Sequence, residues 1–351
     1  MKIMKKPLLT LLIFIFIIIS SGCGNTSTVE PFLDNNQLDT KIKIINNQSS
    51  LLQKESDQFL KNSSSIGISA DDVYQRVIME ENLDYFVVDV RSAADYAKGA
   101  IKSSVNIPYE FTTNPNLIGD LPKDKTIIVV CYTGHKAGQT VALWNMLGYN
   151  AVAMINGMSG WTAKESTLPT DEYNYPLVTT SSEVAAYESP SFEVEEVADI
   201  YSLIVAKSDK YLESLKGAVV NAKDLKADID TNGNYFIVDI RKQDDYTKGH
   251  IEGAINVPYE NIAEADNLAK LPSNEPIVLV GYDGTDASQV ARVLNQLGYD
   301  SYALFYGIRV WSSNEELIGT APISSEKINN LPTVELKYNL EGGSAGSAGC
   351  S

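Results

Sequence analysis

Tyr85-Phe86-Val87-Val88-Asp89-Val90-Arg91 stands 150 residues ahead of Tyr235-Phe236-Ile237-Val238-Asp239-Ile240-Arg241. Each is a short, nearly continuous apolar run closed by an Asp-x-Arg step. Such runs are the mark of strands buried on both faces of a parallel sheet. Their recurrence at a fixed offset marks a duplicated unit. The same offset, without a gap, carries Asp95-Tyr96 to Asp245-Tyr246 and Asn106-Ile107-Pro108-Tyr109-Glu110 to Asn256-Val257-Pro258-Tyr259-Glu260. It also carries Leu147-Gly148-Tyr149 to Leu297-Gly298-Tyr299, Gly157 to Gly307 and Trp161 to Trp311. Upstream the offset becomes 152, pairing Ser56-Asp57 and Phe59-Leu60 with Ser208-Asp209 and Tyr211-Leu212.

The copies therefore span 56–168 and 208–318. Within the first, strands are expected over 86–90, ending at 105–108, over 126–130 and over 151–155. Helices are expected over 93–98 and 137–147, the latter closed by Gly148. Alternating strands and helices predict an α/β fold: two tandem units, each a small parallel sheet with helices on both faces. Ligands of such sheets bind at the carboxyl ends of the strands.

Outside the copies the chain reads differently. Lys5-Lys6, the largely apolar run 7–19 and Ser20-Ser21-Gly22-Cys23 have the layout of an export signal, too short to span a bilayer. A cysteine directly after small residues resembles the lipobox of bacterial lipoproteins, which implies a signal peptide over 1–22 and a lipid on Cys23. The polar stretch 23–55 is read as a tether. The segment 169–207 is a linker followed by helix, and 319–351 is an extension with a Gly/Ser/Ala tail. Cys350 in that tail is read as an inert end, with a sulfur acceptor or disulfide partner for Cys131 as the alternative.

The formal charge is −17, and removal of the first 22 residues with their three lysines takes it to −20. A surface so acidic excludes binding of nucleic acid or an anionic bilayer by general electrostatics. Any anion must be caught locally. Three cysteines are too few for an exported domain stapled by disulfides.

The chemistry is expected where the strand over 126–130 runs into Cys131-Tyr132-Thr133-Gly134-His135-Lys136-Ala137 and opens a helix. A loop wrapped around a cysteine turns backbone N–H groups inward, and the helix amino end adds partial positive charge. Gly134 permits the turn, and Lys136 and His135 add basic groups. All favour the thiolate, which is the nucleophile. A buried structural cysteine at a strand end would explain neither the glycine nor the basic residues.

These elements together resemble a rhodanese domain: Asp89-x-Arg91, Asp95-Tyr96 with Gly99, Asn106-Ile107-Pro108, a six-residue loop from Cys131, and Gly157-x-x-x-Trp161. The resemblance implies a sulfurtransferase in which Cys131 carries sulfane sulfur as a persulfide. Tyr132, Thr133, Gly134, His135 and Lys136 would form the substrate loop, with Asp89 and Arg91 supporting it through hydrogen bonds. No cofactor and no metal is implied. The family often has Arg where Lys136 stands, and Lys lacks the bidentate fork that suits an oxyanion. A related phosphatase class uses Cys, five residues, then Arg; Ala137 occupies that last position here, so a phosphate would lack its clamp.

The second copy has Gly281-Tyr282-Asp283-Gly284-Thr285-Asp286-Ala287 at the matching place. Its nucleophile is glycine, and Asp286 replaces Lys136. Two carboxylates facing the pocket would repel the anions a sulfurtransferase binds. A solvated loop is the plain reading of the pair; a cation or partner site is the other.

The expected function is an extracytoplasmic sulfurtransferase or persulfide carrier, lipid-anchored in the cell envelope. It would act on a small sulfur-containing anion or thiol, with the inactive copy shaping the pocket or docking a protein partner. The alternative is a non-catalytic binding protein on the same scaffold.

Overall fold

The computed structural model describes residues 35–63, 67–214 and 217–336. The expected architecture is present: two five-stranded parallel sheets flanked by helices. The first contains β1 (Gly67–Ile68), β2 (Tyr85–Asp89), β3 (Val105–Asn106), β4 (Thr126–Val130) and β5 (Asn150–Met154), in the order β1-β5-β4-β2-β3. The second repeats this with β6 (Val219–Val220), β7 (Phe236–Asp239), β8 (Ile255–Asn256), β9 (Ile277–Val280) and β10 (Ser301–Leu304), in the order β6-β10-β9-β7-β8. The edge strands β1 and β6, two residues each, have no apolar run to announce them.

Register places the chemistry. Asp89 at the end of β2 pairs with both Val130 of β4 and Asn106 of β3, so the three carboxyl ends lie side by side. Ile127 to Val130 are all buried because helices cover both faces. On one face Val88, Ile127 and Val129 join a core that continues without a break into the second copy through Val238, Ile277 and Leu279. The other face of each sheet has its own core, around Trp161 in the first copy and Trp311 in the second. The two copies thus share their central hydrophobic layer.

Three segments outside the copies depart from expectation. The tether expected over 23–55 is helical from Asn35, within a helix Asn35–Asn62 kinked at Asn47. Leu52, Phe59 and Leu60 of this helix are buried in the shared core, and Gln53 Nε2 donates to the Ala263 carbonyl of the second copy at 2.6 Å. Gln48 is tied by its side-chain amide to both backbone groups of Glu195. Burial of that apolar stripe fixes a segment whose polar composition suggested free chain.

The linker 169–199 is extended and lies along the second copy. Tyr175 N donates to Trp311 O, and Trp311 Nε1 donates to Pro176 O. The chain after the second copy returns to the first in the same way, with Leu331 N donating to Trp161 O and Trp161 Nε1 to Pro332 O. Each copy is therefore strapped by the segment that follows the other. Isolated bridges Val178–His250 and Ala100–Val334 complete the exchange.

The signal peptide 1–22, Cys23 and Cys350 with its tail lie outside the described residues. Among the described residues no helix is long and apolar enough to cross a membrane.

Candidate active site

Cys131 follows β4 directly, and the loop turns back over it. Gly134 takes φ +89° at the start of the helix His135–Met146, a conformation open to glycine at little cost. The turn brings the Gly134 N–H to 3.1 Å from Cys131 Sγ. The N–H groups of Thr133, Lys136 and Ala137 converge on the same sulfur. The floor is Gly157, with φ +52°, whose Cβ, were there one, would sit 2.3 Å from the Cys131 carbonyl. Without it, Met158 N and Ser159 N could not donate to Cys131 O and Tyr132 O at 2.8 and 2.9 Å.

The sulfur itself is enclosed, with Cys131 only 2% exposed. Burial pushes its thiol above the ordinary range, against the pull of the four amides. The pull toward the thiolate thus comes from these backbone amides, and burial outweighs it in the resting site.

His135 corrects the expectation most clearly. Its ring is buried against Phe305 and Tyr306 of the second copy. Nε2 accepts a hydrogen bond from Tyr306 N at 3.2 Å, and Nδ1 lies 3.1 Å from Thr133 Oγ1. An accepting Nε2 places the ring proton on Nδ1. Burial lowers its pKa to about 4, so the imidazole is neutral. His135 joins the copies and adds no charge to the site. Lys136 is exposed, and its ammonium stands over the Tyr109 ring at 4.9 Å.

Tyr132 is held from two sides. Its hydroxyl donates to Asp95, and its ring lies 5.6 Å from the Arg91 guanidinium. Burial and then Asp95 push its pKa to about 12, while Lys98 and then Tyr132 and Ser92 hold the Asp95 carboxyl well below its usual range. The Tyr132 side chain is a clasp for the loop. Arg91 and Asp89 pair beside it: Nη2 donates to Asp89 Oδ2 at 2.8 Å and to Gly99 O at 2.6 Å, while Nη1 reaches Glu165 at 3.1 Å. Asp239, Arg241 and Gly249 repeat the arrangement in the second copy.

The second loop keeps this scaffold and fills the nest. The Asp286 carboxylate turns inward and accepts from Tyr282 N at 2.8 Å and Ala287 N at 2.7 Å. A Cβ on Gly281 would stand 2.0 Å from Asp286 Oδ1. The carboxylate therefore occupies the space a cysteine side chain would need. Burial and the neighbouring Asp283 raise its pKa. The solvated loop and the exposed cation site are both replaced by an internal plug.

The two loops face each other. Cβ positions built on Gly138 and Gly284 would lie 2.6 Å from Thr285 O and 2.5 Å from His135 Nε2. Tyr306, opposite His135, has φ +60°, a conformation that bulky residues seldom adopt. Sequence reading missed Tyr306 and the plug, since neither has a local signature, whereas hydrogen bonding by Asp95 at the loop was expected. A cavity of about 870 Å³ lies beside Tyr85, Thr126 and Asn150 at the amino ends of the strands, away from Cys131.

The model of the rhodanese-like domain matches residues 69–164 and 221–314. The chain belongs to the rhodanese-like family. Over 76 residues it is 37% identical to the thiosulfate sulfurtransferase GlpE of Shewanella oneidensis, covering 21% of this chain and 73% of that one. Over 172 residues it is 24% identical to the "Probable adenylyltransferase/sulfurtransferase MoeZ" of Mycobacterium tuberculosis, covering 48% of this chain and 42% of that protein. It thus spans less than half the length of that relative. Among solved structures it is similar to a thiosulfate sulfurtransferase from Pseudomonas aeruginosa, at 16% identity and TM-score 0.29, covering 80% of this chain and 49% of that one. The rhodanese-like chain thus has sulfurtransferases among its relatives.

Proposed function

We propose that this rhodanese-like protein is a persulfide carrier, tethered to a membrane by lipid on Cys23 and working outside the cytoplasm. The observation that carries the reading is the convergence of the Thr133, Gly134, Lys136 and Ala137 amides on Cys131 Sγ. Preorganised donors of this kind stabilise negative charge on the sulfur at no cost of reorganisation. With thiosulfate as donor, the Cys131 thiolate attacks the outer sulfur. The S–S bond of the donor breaks, and sulfite leaves with its electron pair. The resulting Cys131 persulfide carries its charge on the terminal sulfur, inside the amide nest. A thiolate or cyanide acceptor then attacks that sulfur, and the Cys131 thiolate departs. The second domain closes the site through His135 and Tyr306 and offers its outer surface to a protein partner. Neither cofactor nor metal enters the scheme.

The burial of Cys131 favours a second reading, a binding protein whose cysteine takes no part. Formation of thiocyanate from thiosulfate and cyanide separates the two. The carrier reading expects turnover that Cys131→Ala abolishes. Equal, trace turnover in both proteins, with thiosulfate, polysulfide or an organic persulfide as donor, would leave the binding protein.

A further inference from the structure

A charge is buried beside the Cys131 loop with nothing to balance it. Arg292 belongs to the helix Thr285–Gln296 of the second copy, and its side chain is 0% exposed. None of its three guanidinium nitrogens has a hydrogen-bond partner. Its aromatic neighbours are the Tyr211 ring, 4.7 Å from the guanidinium carbon, and Tyr109, whose hydroxyl interacts with the guanidinium. An unpaired buried cation is among the costliest arrangements in a protein interior, and a site that keeps one is built for an acceptor that comes from outside.

Its surroundings are hydroxyls and an amide. Tyr109 Oη donates to Gln139 Oε1, and Gln139 Nε2 donates to Tyr211 Oη at 3.0 Å. Gln139 lies in the helix that the Cys131 loop opens. Tyr109 is the link to the sulfur: burial raises its pKa, Arg292 lowers it, and Cys131 raises it, so its hydroxyl feels both groups. On its ring face Tyr109 has the Lys136 ammonium.

The duplication shows that the scaffold does not require this charge. At the repeat offsets of 150 and 152 the first copy has Ala142 for Arg292 and Phe59 for Tyr211, and both are buried. The fold accommodates alanine and phenylalanine there. Arginine and tyrosine stand only in the copy that lacks a cysteine, and there the arginine faces Tyr109 and the tyrosine is hydrogen-bonded to Gln139 of the copy that has one.

We propose that Arg292 is the oxyanion-binding group of the Cys131 site, contributed by the inactive copy to hold the sulfonate end of a small sulfur oxyanion such as thiosulfate or sulfite. Its planar fork supplies the bidentate recognition that Lys136 cannot. The inference deepens the persulfide-carrier reading and explains why a cysteine-free copy is retained: each copy holds half of one site.

Binding is tested apart from chemistry, in the full chain carrying Cys131→Ser. Calorimetric titration with thiosulfate and with sulfite should show saturable binding. Arg292→Met, which keeps the apolar volume, should weaken it at least tenfold, and Arg292→Lys should restore part of it. Arg292→Ala, which reproduces Ala142, serves if the methionine variant does not fold. No binding in the Cys131→Ser parent, or binding unchanged in the folded Arg292 variants, overturns the proposal. In the chain with Cys131, Arg292→Lys should raise the half-saturating thiosulfate concentration about tenfold, with a smaller rise for an organic persulfide donor, which has no sulfonate to bind. Anion binding without any sulfur gain on Cys131 would refute the carrier reading alone. Sulfur gain from thiosulfate indifferent to Arg292 would refute this proposal alone.

Discussion

Acid should loosen the protein through His135. Its imidazole is buried at the junction of the copies with a pKa lowered to about 4 from the ordinary 6.5. The unfolded chain takes up the proton near pH 6.5, whereas the folded chain takes it up only near pH 4. The stabilisation is therefore complete above pH 6.5 and is lost as pH falls through that window. From those two values the loss is about 2 kcal/mol at pH 5 and about 3 kcal/mol below pH 4. Protonation also removes the acceptor for Tyr306 N, so the loss falls on the interface between the loops. The assay is urea denaturation at pH 7.5 and pH 5, in the native sequence and in His135→Phe. The phenylalanine keeps a ring against Phe305 and cannot titrate. It leaves Tyr306 N without its partner, at a pH-independent cost of about 1–3 kcal/mol. Asp286 acts in the opposite sense, since burial and Asp283 raise its pKa, and it is present in both proteins. The native protein should therefore lose about 2 kcal/mol more than the variant between the two pH values. An equal response in both would refute the neutral, interface-locked His135.

Gly157→Ala should cost about 3 kcal/mol and abolish sulfur transfer, because its Cβ meets the Cys131 carbonyl at a left-handed φ; thermal melting and thiocyanate assay check it. Gly281→Cys should create no second site, since Asp286 fills the nest. Adding Asp286→Ala to it should let a second sulfur load, read as a second mass increment. Truncation after residue 327 should loosen the first domain rather than the second, because the removed strap pairs with Trp161 and Ala100; hydrogen exchange around those two residues reads this out.

The duplicated apolar runs were enough to read two parallel sheets, because a strand covered on both faces must be apolar along its length. The loop from Cys131 was legible for a related reason: a cysteine at the carboxyl end of such a strand, followed by glycine and a helix, leaves few backbone paths. The leading helix Asn35–Asn62 was not legible in full, since polar residues around its kink at Asn47, among them the buried Gln48, do not signal burial. The exchanged straps were hidden because extended chain held by a few backbone bonds, such as Trp161 Nε1 to Pro332, has no period. Within the site, residue type suggested a basic loop, and packing sets the charge of His135 otherwise. His135 reads as a base and is a neutral interdomain contact, because direction is set by tertiary packing. Asp286 reads as a repelling surface carboxylate and is the plug of its own loop, since the turn folds its carboxylate back onto the amides of Tyr282 and Ala287.

The central claim is that Cys131 carries the sulfur. The most direct test is intact mass of the full chain after incubation with thiosulfate, beside Cys131→Ala. The account predicts a gain of one sulfur atom, removed by cyanide and absent from the variant. No gain from thiosulfate, polysulfide or an organic persulfide, or a gain that survives in Cys131→Ala, would contradict it.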